Sequence, residues 1–396
     1  MMKVQVLLVL ALCVSWCAGH AVIEEDALGA LHINTSSPSS QPVYVNGVDV
    51  SGMQSTIRDL EARTQALQQQ LCTLHPPAAD VTSITVPTGT AKWVGGVLAP
   101  NGLIYGIPYA IYVVLIINPT TNTVDTTSIT GLPFTGWWEG VLAPNGLIYG
   151  IPHQASGVLI INPNDNTVDT TTISDVGLGG GDKWAGGVLA DNGRIYCAPY
   201  SASFMLIIDT ATNTADTTSI RNINAISYAW YQGVAAPNGL LYFLQVRAQG
   251  ILIVDPATNT VDTSTLANVQ IGPSRGVVLS RATGLIYGVP DTSSRVVVLD
   301  PTTNSVDGNA VQGLPTDNSY WLGGAVAASG KLVFIPAASS SVLFLDPLTN
   351  ATDMTSIRGL GTGNYKWWGG VAAPNGRIYA IPYHANNVLI IDAGAC

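Results

Sequence analysis

One motif keeps returning along this chain. WVGGVLAPNGLIYGIPY at 93–109 comes back as WWEGVLAPNGLIYGIPH, WAGGVLADNGRIYCAPY and WWGGVAAPNGRIYAIPY. Self-similarity at a fixed period means that one small structural unit is stacked many times, which bounds the architecture before any other feature does. Anchored on the glycine that opens each unit, the repeats sit at Gly96, Gly140, Gly187, Gly233, Gly276, Gly324 and Gly370, separated by 44, 47, 46, 43, 48 and 46 residues. Each unit divides into four short runs of the type GVLAP, LIYGIP, VLIIDP and VDTTSI, joined by NG and PxTNT turns. β-branched residues dominate these runs, and Gly or Pro interrupts each before three helical turns are complete, so helices are excluded. Four antiparallel strands in each of seven units specify an all-β fold, a seven-bladed β-propeller.

The seventh unit is short. After VLIID at 388–392 the chain ends within four residues, so an outer fourth strand is missing. Ahead of the first unit, Asp80-Val81-Thr82-Ser83-Ile84 matches the outer segments Asp125–Ile129 and Asp216–Ile220. This N-terminal segment is expected to complete the last blade and close the ring, leaving no open inner edge. The propeller is assigned to residues 78–396.

Gly96–Gly102 (GVLAPNG) and Leu206–Thr214 (LIIDTATNT) resemble the inner and third strands of YVTN-type propellers of surface-layer and lactonase-like proteins. The resemblance covers most of 80–396, although the second strand reads IYGIPY instead of the tetrad that names the family. It implies fold and leaves function open, because the fold hosts adhesins, lectins and lactonases alike.

Upstream, Val50, Met53, Ile57, Leu60, Thr64, Leu67, Leu71 and Leu74 keep an unbroken 3-4 spacing, the seam of an α-helical coiled coil over 48–75, with Ser51 or Ser55 as its cap. A homo-oligomer through 48–74 is expected, against the alternative of a single helix lying on its own propeller. A coiled coil ahead of a closed propeller, with cysteines at both ends, is similar in arrangement to olfactomedin-type secreted proteins. Residues 22–47, with SSPSSQP, read as a flexible linker. Lys3, an apolar run and the small residues Ala18 and Gly19 make 1–21 a signal peptide, so the mature chain is expected to be secreted. No later apolar run approaches the ~20 residues that span a bilayer, so no membrane insertion is expected. Asn34 in NTS and Asn350 in NAT are candidate glycosylation sites.

Removal of the signal leaves Cys72, Cys197 and Cys396, an odd number in an oxidising compartment. Cys197 stands where sister units have Gly106 or Gly150 and reads as an inert buried thiol. Strand directions bring Cys72 near Cys396, so a disulfide between them is preferred, with an interchain Cys72 bond as the alternative. The net charge of −10, with only 15 Lys and Arg, excludes a nucleic-acid partner and anionic membranes.

Because antiparallel neighbours alternate faces, the NG and PxTNT turns share one face of the ring, and the starts of the first strands share the other. All eight mature tryptophans fall on that second face. Trp93, Trp137, Trp184, Trp230, Trp321 and Trp367 each precede the anchor glycine by three, with Pro273 in the fifth unit. They are read either as wedges between blades or as platforms for a sugar or protein. After the second strand the same face carries Tyr109, His153, Tyr200 and Tyr383 in units one, two, three and seven, against Val246, Asp291 and Ala337 in units four to six. In a closed ring this is one continuous aromatic arc, joined by Trp138 and Trp368, with Lys92, Lys183 and Lys366 as neighbouring cations. Just before the anchor, Glu139, Gln232 and Arg275 replace glycine and are expected at the channel mouth.

Histidines are few, most Asp belong to repeated turns, and no nucleophile or phosphate motif occurs. No catalytic residue, metal site or cofactor is therefore assigned, although Glu139, His153 and Asp291 form an unspecific acid–base or metal set. The expected function is multivalent, lectin-like binding of a glycan or an extracellular protein. The alternatives are a matrix or surface structural protein and a lactonase-like hydrolase.

Overall fold

The computed structural model describes residues 21–25, 31–35, 44–45, 48–177, 181–223, 226–248, 250–267, 269, 272–315 and 320–394. They form two compact units, 1–75 and 76–396. The larger is a seven-bladed propeller of four-stranded antiparallel sheets, with each blade running from innermost to outermost strand in chain order. The seventh blade consists of Trp367–Ala372, Ile378–Pro382, Leu389–Asp392 and, as its outer strand, Ala78–Asp80 from the other end of the chain. Ile390 pairs with Asp80 and Asp392 with Ala78. The strand stops at Asp80, sooner than the matching segment suggested. Asp80 caps the next turn by accepting the amides of Thr82 and Ser83 at 2.7 and 3.0 Å, which bulges the chain before it returns to the same blade, where Ile84 O accepts the amide of Val388 at 3.1 Å and Val86 N–H donates to Asn386 O at 3.0 Å.

Two layers of contact join the blades. The second strands, such as Ile104–Pro108, are buried along their length apart from Arg194, which opens that of the third blade, because each is covered on both sides by neighbouring sheets. On the turn face, Tyr105 donates its hydroxyl to Asn166 Oδ1 of the next blade at 2.7 Å, while Asn101 Nδ2 donates to that hydroxyl at 3.0 Å and to Pro163 O at 2.7 Å. The Tyr–Asn bond recurs as Tyr149–Asn213, Tyr196–Asn259, Tyr242–Asn304, Tyr287–Asn350 and Tyr379–Asn122. These asparagines hold the left-handed turn position, with φ between 51° and 57°, a conformation Asn tolerates. Asn350 is thus both the candidate sequon and a half-buried member of this latch. The sixth blade has Val333 in place of the tyrosine.

The register corrects the alignment of the fifth unit. Trp93, Trp137, Trp184, Trp230, Trp321 and Trp367 each pair with the last residue of the second strand, and the anchor glycine pairs two residues earlier, across a bulge. In the fifth blade those places are taken by Ser274 and Val277. The anchor is Val277, not Gly276, and the tryptophan position holds Ser274, not Pro273. Matching glycine to glycine shifted this unit by one residue, because a valine fills the column where the others have Gly.

The smaller unit departs from the expected linker. Ala21–Glu25 pairs with Leu31–Thr35, and Tyr44–Val45 with Val48–Asp49, since AVIEE and LHINT combine β-branched and alternating residues around Gly29. Asn34 lies in the second of these strands. A helix follows at Val50–Leu74, beginning ahead of both serines expected to cap it. The signal segment 1–20 and Cys396 lie outside the described residues, and with them the Cys72–Cys396 pairing. Cys197 is fully buried, and burial pushes its thiol pKa well up, as an inert thiol requires.

Candidate functional site

The bulge in each innermost strand leaves two residues between the tryptophan position and the anchor, and it turns both toward the axis. The first column is Val94, Trp138, Ala185, Tyr231, Arg275, Leu322 and Trp368. All but Arg275 are core members of one apolar cluster at the centre of the ring, with Tyr109, Tyr200, Tyr365 and Tyr383 packed against it. The second column is Gly95, Glu139, Gly186, Gln232, Gly276, Gly323 and Gly369. Five of these line a cavity of about 70 Å³. Arg275 therefore leaves the Glu139–Gln232 ring to which the sequence assigned it and joins the layer of Trp138 and Trp368.

Only glycine fits most of the second column. A Cβ on Gly95 would lie 2.9 Å from Glu139 Cγ, and one on Gly323 would lie 2.7 Å from the Gly369 backbone. Glu139 is held there at φ 61°. Burial pushes its carboxyl up to about 7, opposed by hydrogen bonds from Tyr231 and Gln232. The Tyr231 hydroxyl is the hub of this layer. It accepts the indole N–H of Trp368 at 2.8 Å and that of Trp138, and it lies 3.4 Å from Glu139 Oε1. Three blades are tied through one buried oxygen.

Around this floor the expected arc is assembled. Ring centroids of Tyr109 lie 6.2 Å from Tyr383 and 6.1 Å from His153, and His153 lies 5.4 Å from Tyr200. Trp138 packs edge-on against Tyr109 at 4.8 Å and against Trp368 at 4.9 Å. The half-buried tyrosines Tyr109, Tyr200 and Tyr383 form the rim. Tyr365, stacked on Trp368, and Tyr228, against Tyr200, extend it.

His153 is 2% exposed. Its Nδ1 lies 2.7 Å from Trp184 O, an atom that only accepts, and its Nε2 lies 3.3 Å from Asp182 Oδ1. The hydrogen bond from His153 is the largest of the contacts that hold the Asp182 carboxyl down at about 2. Arg275 Nε stands 2.9 Å from Asp291 Oδ2. Glu139, His153 and Asp291 thus each have a separate partner. No group of three or more metal-ligating side chains occurs among the described residues.

Two sequence expectations change. Trp93, Trp137, Trp184 and Trp367 are at most 3% exposed, and each donates its indole N–H to a carbonyl twenty residues on in the same blade, 2.9–3.1 Å away. They are inter-blade wedges with no face open to a ligand. Lys92, Lys183 and Lys366 are buried as well. Their ammonium groups donate to carbonyls of adjacent blades, Ala385, Ala155 and Ala337 with Ser339, so they staple the ring instead of lending charge to its surface. Burial brings Lys92 and Lys366 down to about 8. Tyr231 and Asp182 were overlooked. Reading the residue after each tryptophan as a column would have found Tyr231, whereas Asp182 sits in a loop with no repeat pattern.

No protein-family profile and no curated protein matches this chain. Solved structures do match in fold. A streptogramin B lyase superposes with a TM-score of 0.62 at 10% identity, covering 80% of this chain and 98% of that one. A catalytically inactive virginiamycin B lyase from Staphylococcus aureus with quinupristin gives 0.63 at 11%, covering 80% and 99%. The extracellular domain of a putative one-component system from B. thetaiotaomicron gives 0.59 at 10%, covering 79% of this chain and 39% of that one. At these identities the likeness is one of fold.

Proposed function

We propose that this is a secreted binding protein whose aromatic face takes a glycan or an extracellular protein, with self-association through 48–74 multiplying weak contacts. The observation that carries this reading is the tyrosine rim of Tyr109, Tyr200 and Tyr383 around a floor locked by hydrogen bonds. Such a rim offers large apolar faces and hydroxyls at little cost in side-chain freedom, as sugar and protein recognition both favour. An extracellular neighbour of the same fold is compatible with it. The test is a glycan array and a panel of extracellular proteins probed with the full chain and with Tyr109→Ala. The reading expects a hit that the substitution weakens about tenfold or more. Absence of any hit leaves a structural scaffold as the better account.

One observation favours catalysis as a second reading: a carboxyl near 7 beside a cavity is suited to moving protons at neutral pH. Turnover of a lactone panel that disappears in Glu139→Gln would establish it.

A further inference from the structure

The helix Val50–Leu74 carries an exposed apolar stripe. Met53, Ile57, Leu60, Leu67 and Leu74 are 49–83% exposed, on a helix about 37 Å long. We infer that a second copy of this chain covers that stripe as a parallel, in-register, two-stranded coiled coil. The inference rests on the self-association read above and adds its number and direction.

The number follows from side-chain shape. The 3-4 spacing puts Val50, Ile57, Thr64 and Leu71 at one seam position and Met53, Leu60, Leu67 and Leu74 at the other. β-branched residues in the first set with leucines in the second favour two strands over three or four. The one polar seam residue is already satisfied, because the Thr64 hydroxyl donates to Leu60 O at 2.7 Å within its own helix. It can be buried with its methyl group toward a partner.

The direction follows from charge. Arg63 flanks the seam near its middle. In the antiparallel arrangement that aligns residue 57 with 67 of the partner helix, Arg63 faces its own copy near the midpoint. That is a like-charge contact. In the parallel arrangement the two Arg63 side chains lie on opposite sides of the seam and do not meet. Arg63 is meanwhile held by Asp59 of its own helix at 3.0 Å.

Sedimentation equilibrium of the full chain under reducing conditions, across a dilution series, should give the mass of two chains. Leu60→Lys should raise the dissociation constant about tenfold or more, with the propeller's thermal transition unchanged. For direction, Met53→Cys in a Cys72→Ser background should cross-link on mild oxidation, because residue 53 meets its own copy only in the parallel pair. Three- or four-chain mass, or a two-chain species that does not cross-link, overturns this arrangement while leaving self-association standing. A monomer at every concentration overturns both.

Discussion

The two faces of the ring are built by opposite rules. On the turn face one tyrosine and one or two asparagines bridge successive blades, and the same bond is made six times. On the aromatic face the equivalent column changes from blade to blade, from Val94 to Trp138 to Tyr231 to Arg275, and its contacts reach across the axis. A repeated bond distributes stability evenly around a closed ring. An unrepeated network concentrates it at one hub and creates a surface that differs in every direction, which is what recognition of an asymmetric ligand needs.

Substitutions of one hydroxyl on each face should expose this difference. Tyr231→Phe leaves two buried indole donors and a buried carboxyl without their shared partner, so a loss of about 3 kcal/mol is expected in urea unfolding. A loss no greater than that of a turn-face tyrosine would remove Tyr231 as the hub.

The next largest effect is on pH dependence. Glu139 takes up its proton near 7 in the folded chain against 4.5 in an unfolded one. Its contribution is present in full below about 4.5 and is lost as pH rises through 7. The half-buried turn caps Asp125, Asp216 and Asp353 are held near 2 against 3.8. Theirs is present above 3.8 and is lost as pH falls through 2. The melting temperature should therefore be highest near pH 4–5, and Glu139→Gln should flatten the neutral side alone. An unchanged neutral limb in that variant would mean that Glu139 is not the group titrating.

The smallest effect belongs to the repeated face. Tyr149→Phe deletes one of six equivalent latches and should cost about 1 kcal/mol, with ligand binding unaffected.

How much was legible in the sequence follows the same division. The period, the four strands of each unit and the N-terminal closing strand can be read directly, because turns and apolar alternation are local and recur. The arc of Tyr109, His153, Tyr200 and Tyr383 was legible because ring closure makes the first and seventh units neighbours. The roles of the tryptophans and lysines were not, since burial depends on the blade packed alongside. Arg275 was misplaced by a single residue, because a valine in a glycine column hides the register that pairing reveals. Tyr231 belongs to a contact across the axis between positions 93 residues apart, which no local pattern announces.

On the proposed function, one face of the ring binds and the other only holds it together. The most direct test is to compare Tyr109→Ala and Tyr149→Phe side by side for affinity toward the same ligand, with both variants confirmed as folded by near-ultraviolet circular dichroism. About tenfold or greater loss is expected for Tyr109→Ala and unchanged affinity for Tyr149→Phe. Unchanged affinity for Tyr109→Ala with loss in Tyr149→Phe would contradict it and move the binding site to the turn face.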